Sequence, residues 1–130
     1  MRAAVFEGAG VVAVTTRPDP SLLAPDDVIL RVAANGICGT DLHALATPAR
    51  IAYPAGIVIG HEFVGVIEEA GPRSPYRPGT RAVVHPNVTC GHCWYCRNGR
   101  ANVCEAQDAL GCTVDGGTAD YCRVPASAIF

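Results

Sequence analysis

The chain has 130 residues, enough for one domain with a real core. Apolar residues make up 49 % and charged residues 17 %, a globular composition; the formal charge is −2 and no basic stripe runs along the sequence, which argues against nucleic acid as the main partner. No apolar run reaches the roughly 20 residues that span a bilayer, which argues against a membrane partner.

At the N-terminus, Met1 to Phe6 meets Glu7 and Gly8 before a signal-peptide core can form, so the expected setting is the cytoplasm. Val11 to Thr16 is short and rich in β-branched residues, and Asp27 to Ala34 alternates apolar with polar. A short helical turn follows over Thr40 to Ala46, with Asp41 near its start. Phe63 to Ile67, Arg81 to His85 and Ala119 to Val124 read as further strands. Turn signals separate them at Gly8-Ala9-Gly10, Pro18 to Pro25, Gly71-Pro72, Pro78-Gly79 and Gly116-Gly117. Short strands at this spacing predict a mainly β barrel or sandwich. Two features are inserted into it: the loop from Gly36 to Gly65 and a Cys-rich lobe at about 88–112.

Seven Cys is an odd count, and four of them crowd together. Cys90, Cys93, Cys96 and Cys104 are spaced by three, three and eight, with turns at Gly91 and Asn98-Gly99 that let one loop fold around one ion. Four thiolates make a closed tetrahedral zinc site, which is structural rather than catalytic. Disulfides would need an oxidising compartment, to which nothing points. An iron–sulfur cluster uses four Cys at comparable spacing and stays open on spacing alone. His92, next to Cys93, is expected to point outward. Cys112 and Cys122 lie outside the cluster and read as small buried apolar residues.

A second constellation runs from Gly36-Ile37-Cys38-Gly39-Thr40-Asp41-Leu42-His43 to Gly60-His61-Glu62. Cys38 and His61 are good zinc ligands, and Glu62 can act as a third, weaker one. A catalytic zinc keeps a position open for substrate. Asp41 can hold the His61 ring, and Thr40 and His43 can pass a proton outward.

Together, Gly36 to His43, Gly60-His61-Glu62, the four lobe cysteines and Gly116-Gly117-Thr118-Ala119-Asp120-Tyr121 resemble the zinc-dependent medium-chain alcohol dehydrogenase family. The resemblance covers nearly the whole chain and disfavours the iron–sulfur reading. It implies a GroES-like, partly open β-barrel over residues 1–130, with short helices and an inserted zinc lobe. It implies Cys38 and His61 on a catalytic zinc with Glu62 beside it, Thr40 and His43 as a proton relay, and Asp41 behind His61. Cys90, Cys93, Cys96 and Cys104 would hold the structural zinc. A small alcohol or polyol is the implied substrate, with wording nearest to polyol and threonine dehydrogenases.

There are departures from the family pattern. Gly79-Thr80-Arg81-Ala82 stands where Gly-Asp-Arg-Val is frequent, and the stretch from Pro54 to Gly60 is about two residues longer than the family pattern. No Gly-rich nucleotide fingerprint is present, so the doubly wound domain that binds NAD or NADP is expected outside this chain. The chain alone is then expected to be inactive, with Thr47 to Ile59 lining an inter-domain cleft, and the full-length enzyme a homo-oligomer. The alternative is a zinc-stabilised binding or scaffold module without chemistry. A GroES-like co-chaperonin has no use for either metal constellation.

Overall fold

The computed structural model describes residues 1–46 and 48–130. Strand β1 (Arg2–Gly8) turns through Gly8-Ala9-Gly10, all at positive φ, into β2 (Val11–Thr16), and the two pair antiparallel. The body is a four-stranded antiparallel sheet in the order β5-β4-β3-β8, built from β3 (Asp27–Asn35), β4 (Phe63–Ala70), β5 (Arg81–Val83) and β8 (Tyr121–Pro125). A third, two-stranded sheet pairs β6 (Asn87–Val88) with β7 (Asp108–Ala109) across the neck of the lobe. Helices are short: α1 (Gly39–Leu45), α2 (Trp94–Arg97) and two single 3-10 turns. The sheets are open, and isolated bridges such as Ala3 to Ala119 and Val5 to Val58 tie the hairpin to the rest.

Alternation along the strands builds the core. Val28, Leu30, Phe63, Ile67, Ala82, Val84, Cys122, Val124 and Ile129 form one buried cluster. A smaller cluster of Phe6, Ala44, Tyr53 and Ile57 sits under α1. Asp27 is a buried carboxylate, held by the Leu23 and Ala24 backbone N–H groups and the Arg123 guanidinium.

The predicted strands are present with their ends shifted by a few residues, and β1, which the sequence pattern did not mark, is added. Its burial does not alternate cleanly, because Val5 and Phe6 are buried side by side. The segment expected to line a cleft is not solvent-facing throughout. Thr47 lies outside the described residues, but Tyr53, Ile57 and Val58 are buried, because Tyr53 and Ile57 pack with Phe6 and Ala44 and Val58 with Ala3 and Val5. Among the described residues no helix is long and apolar enough to cross a membrane.

Candidate metal centres

The first centre is made where β3 ends and β4 begins. Asn35 pairs with Phe63, so the chain leaving β3 and the chain entering β4 run side by side. The Gly36 N–H donates to the Glu62 carbonyl at 2.7 Å. A Cβ at Gly36 would stand 2.6 Å from Glu62 Oε2, so glycine leaves room for that carboxylate. Gly60 has φ +94°, and a Cβ there would collide with Thr118 Oγ1. Side chains at Gly111 or Gly116 would strike the Gly60 carbonyl. Backbone thus packs on backbone beneath His61, and Cys112 is brought against its ring.

Helix α1 starts directly after Cys38. Asp41 Oδ2 accepts the Cys38 backbone N–H at 2.9 Å, satisfying a group that the helix itself cannot pair. Ligand atoms of Cys38, His61 and Glu62 then lie within 4.8 Å of one another. Cys38 is half-buried, His61 buried and Glu62 exposed. Thr40 Oγ1 lies 3.6 Å from Cys38 Sγ, and His43 is exposed on the same helix. A cleft of about 440 Å³ beside His61 and Glu62 is walled by Phe63, Val64, Val83 and Val84.

Behind His61 the packing is polar. Asp41 Oδ1 lies 3.5 Å from His61 Nδ1 and accepts the Tyr53 hydroxyl at 3.1 Å. Cys112 Sγ lies 3.3 Å from Tyr53 Oη and 3.5 Å from His61 Nδ1. Burial raises the Tyr53 phenol far above its ordinary value, with Cys112 and Asp41 adding to the effect. Burial likewise pushes the Cys112 thiol up, against a hydrogen bond to Tyr53 that lowers it. The expectation that Cys112 is a small buried apolar residue holds in part: it packs, half-buried, against the Phe6, Ala44, Tyr53 and Ile57 cluster, but its sulfur also has two polar partners. Cys122 does fit that expectation, buried in the main core with its thiol pushed up to about 12 by burial. Sequence reading did not single out Tyr53, since one Tyr eight residues before His61 carries no local signal.

The second centre is the lobe. Sγ atoms of Cys90, Cys93, Cys96 and Cys104 lie within 4.8 Å of one another. Cys90 to Cys96 and Cys93 to Cys104 are each 4.0 Å apart. A zinc–sulfur bond of about 2.3 Å gives a tetrahedral edge of about 3.8 Å, so the four fit one zinc ion. Backbone N–H groups of Cys90, Cys93 and Cys96 point at the sulfurs of Cys104, Cys90 and Cys93, at 3.3, 3.3 and 3.5 Å. Such donors favour thiolates. The Cys93 thiol is drawn down to about 6, mainly by the N–H groups of Cys96 and Glu105, and the Cys90 N–H draws Cys104 down. Burial and the neighbouring sulfurs instead push the Cys96 thiol up to about 12 in the absence of a metal charge. His92 is exposed and turns Nδ1 to the Cys90 carbonyl at 2.8 Å, away from the ligand set.

A mainly β domain carrying a four-thiol cluster and a Cys-His-Glu cluster is the architecture expected of a zinc dehydrogenase's substrate-side domain. Residues 24–130 match the alcohol dehydrogenase GroES-like domain, and the chain belongs to that family. It is 39 % identical over 108 residues to an L-threonine 3-dehydrogenase of Marinomonas, covering 81 % of this chain and 32 % of that protein. An alcohol dehydrogenase of Escherichia coli complexed with NADH superposes with a TM-score of 0.90 at 36 % identity, over 100 % of this chain and 37 % of that one. A cobalt- and zinc-bound thermostable alcohol dehydrogenase of Pyrobaculum aerophilum gives 0.86 at 33 %, over 99 % and 40 %. The chain thus spans about a third of the threonine dehydrogenase it matches.

Proposed function

We propose that this chain is the zinc-carrying domain of an NAD- or NADP-dependent dehydrogenase that oxidises a small alcohol or polyol. The observation that carries this reading is the convergence of Cys38, His61 and Glu62 beside an apolar-walled cleft. One thiolate, one imidazole and one hesitant carboxylate suit a zinc ion that must leave a position for substrate. Cys90, Cys93, Cys96 and Cys104 would hold a second, structural zinc. When bound, zinc supplies Lewis acidity toward a hydroxyl oxygen, and the nicotinamide supplies a hydride acceptor.

The chain's own residues do the rest. Cys38 and His61 fix the reacting centre, and Phe63, Val64, Val83 and Val84 give the cleft beside His61 and Glu62 an apolar wall for the carbon skeleton of a substrate. The Thr40 hydroxyl, close to Cys38 Sγ, accepts the substrate hydroxyl proton. His43, exposed three residues further along α1, releases that proton to solvent. The nicotinamide site and the second wall of the cleft belong to a doubly wound domain outside these residues, in a homo-oligomeric, cytoplasmic enzyme.

The test is a chimera joining this chain to the cofactor domain of a relative. It should reduce NAD or NADP with an alcohol or polyol, and lose that activity with Cys38→Ser or His61→Ala. The chain alone should reduce neither cofactor. A chimera that is folded and zinc-loaded yet inactive toward a broad alcohol panel would contradict the proposal.

A further inference from the structure

The corner behind His61 contains two groups that the proposed reaction does not use, Tyr53 and Cys112. Both touch the machinery, and their hydrogen bonds have a forced direction. Asp41 Oδ1 belongs to a carboxylate and can only accept. The Tyr53 hydroxyl, 3.1 Å away, must therefore donate to it. Its one proton is then committed, so toward Cys112 Sγ at 3.3 Å the phenol oxygen must accept, and the thiol donates. That in turn commits the Cys112 proton. What the sulfur presents to His61 Nδ1, 3.5 Å away, is a lone pair. Asp41 Oδ1 presents another at 3.5 Å. Nδ1 faces two acceptors and no donor, so it carries the hydrogen. Nε2 is left as a bare lone pair on the far side of the ring.

We propose that Tyr53 and Cys112 are positioning residues of a one-way hydrogen-bond circuit, running from Cys112 through Tyr53 to Asp41, that leaves only acceptors facing His61 Nδ1, locks the ring as the Nδ1–H tautomer and aims Nε2 at the metal cluster. The metal half of this statement rests on the reading of Cys38, His61 and Glu62 as zinc ligands; the tautomer half does not. The setting is rigid enough for the purpose. Tyr53 and Asp41 are buried, and the Tyr53 ring packs edge-on against Phe6 with centroids 6.0 Å apart. Cys112 is fixed by the neighbouring Gly111, whose backbone abuts Gly60. A histidine ligand whose other nitrogen is held in this way is a firmer ligand, and loss of such partners typically costs 10- to 100-fold in metal affinity.

The experiment uses the 130-residue chain with zinc in the lobe. Long-range proton–nitrogen correlation spectra of the imidazoles report the His61 tautomer, and cobalt(II) titration reports affinity at Cys38, His61 and Glu62. The parent should show Nδ1–H at His61. Tyr53→Phe keeps the ring packing but removes the donor to Asp41; it should bring in the Nε2–H form and weaken cobalt binding roughly tenfold. Cys112→Ala leaves Asp41 Oδ1 facing Nδ1, so it should keep the Nδ1–H form but loosen the ring and weaken cobalt binding roughly tenfold, whereas Cys112→Ser, which restores a donor and an acceptor, should return the affinity toward the parent. An Nε2–H tautomer in the parent overturns the proposal. So does a parent-like tautomer and affinity, within about twofold, in both Tyr53→Phe and Cys112→Ala. A parent that shows Nδ1–H and the Tyr53→Phe shift, yet binds no cobalt at this cluster, supports the circuit and contradicts the zinc reading instead.

Discussion

Asp41 Oδ2 accepts the backbone N–H of Cys38 at 2.9 Å, so the carboxylate that caps α1 also fixes the residue that offers a candidate sulfur ligand. Its other oxygen faces His61 at 3.5 Å. One buried side chain thereby ties two candidate ligands that lie in separate loops.

Asp41→Asn should test that coupling. The amide keeps the shape but loses the charge and one acceptor. Second-ion affinity should fall about 10- to 100-fold, and the weakened helix start should cost on the order of 1 kcal/mol. Cobalt titration and urea unfolding measure the two effects separately. A change in stability with unchanged metal affinity would limit Asp41 to capping.

The lobe should depend on its metal for structure. None of residues 85–109 is buried, and the stretch touches the main core through Val88 at its base, so the lobe beyond has no apolar core of its own. A four-thiolate zinc contributes about 10–16 kcal/mol of apparent binding energy in small metal-folded units. Cys93→Ser should release the lobe zinc and abolish hydrogen-exchange protection there, while β3 and β4 stay protected. Native protection in a zinc-free lobe would refute this.

Gly60→Ala should destabilise the fold by about 1–3 kcal/mol, from strain at φ +94° and the collision with Thr118. It should also displace His61 next door. Urea unfolding with the parent's midpoint would show that the backbone contacts under His61 are looser than described.

Acid should weaken the tie between β1 and the start of β8. The Arg2 backbone N–H and then its guanidinium, at 2.7 and 3.2 Å, hold the Asp120 carboxyl below the usual carboxylate range. A depressed folded pKa adds stability that is present above the unfolded value of about 3.9 and is lost as pH falls through the lower folded value. Asp120→Asn should therefore lower the urea midpoint at neutral pH, with the difference from the parent shrinking below about pH 4. A difference that stays constant with pH would exclude this ion pair as its source.

Both clusters of candidate metal ligands are legible in the sequence because their residues lie in short, recognisable motifs. Cys90, Cys93 and Cys96 come from one turn-rich loop, and Cys38 and His61 each sit in a Gly-flanked motif. The main sheet is legible from alternation along Asp27 to Ala34. Strand β1 is not, because Val5 and Phe6 are both buried and break the two-residue period. Tyr53 and Cys112 are not legible either. They meet only through the tertiary fold, 59 residues apart, and a single Tyr or Cys looks the same whether or not its hydrogen-bond partner arrives.

On the proposed reading the chain provides two distinct metal sites, one closed and one open. Titration with cobalt(II), followed by competition with a chelator, tests it most directly. The predicted result is one tightly held ion with strong thiolate charge-transfer bands, lost in Cys93→Ser. A second, weaker ion should keep one exchangeable position and disappear in Cys38→Ser and in His61→Ala while the first remains. A chain that never takes a second ion, or whose second ion survives both of those substitutions, would contradict the account.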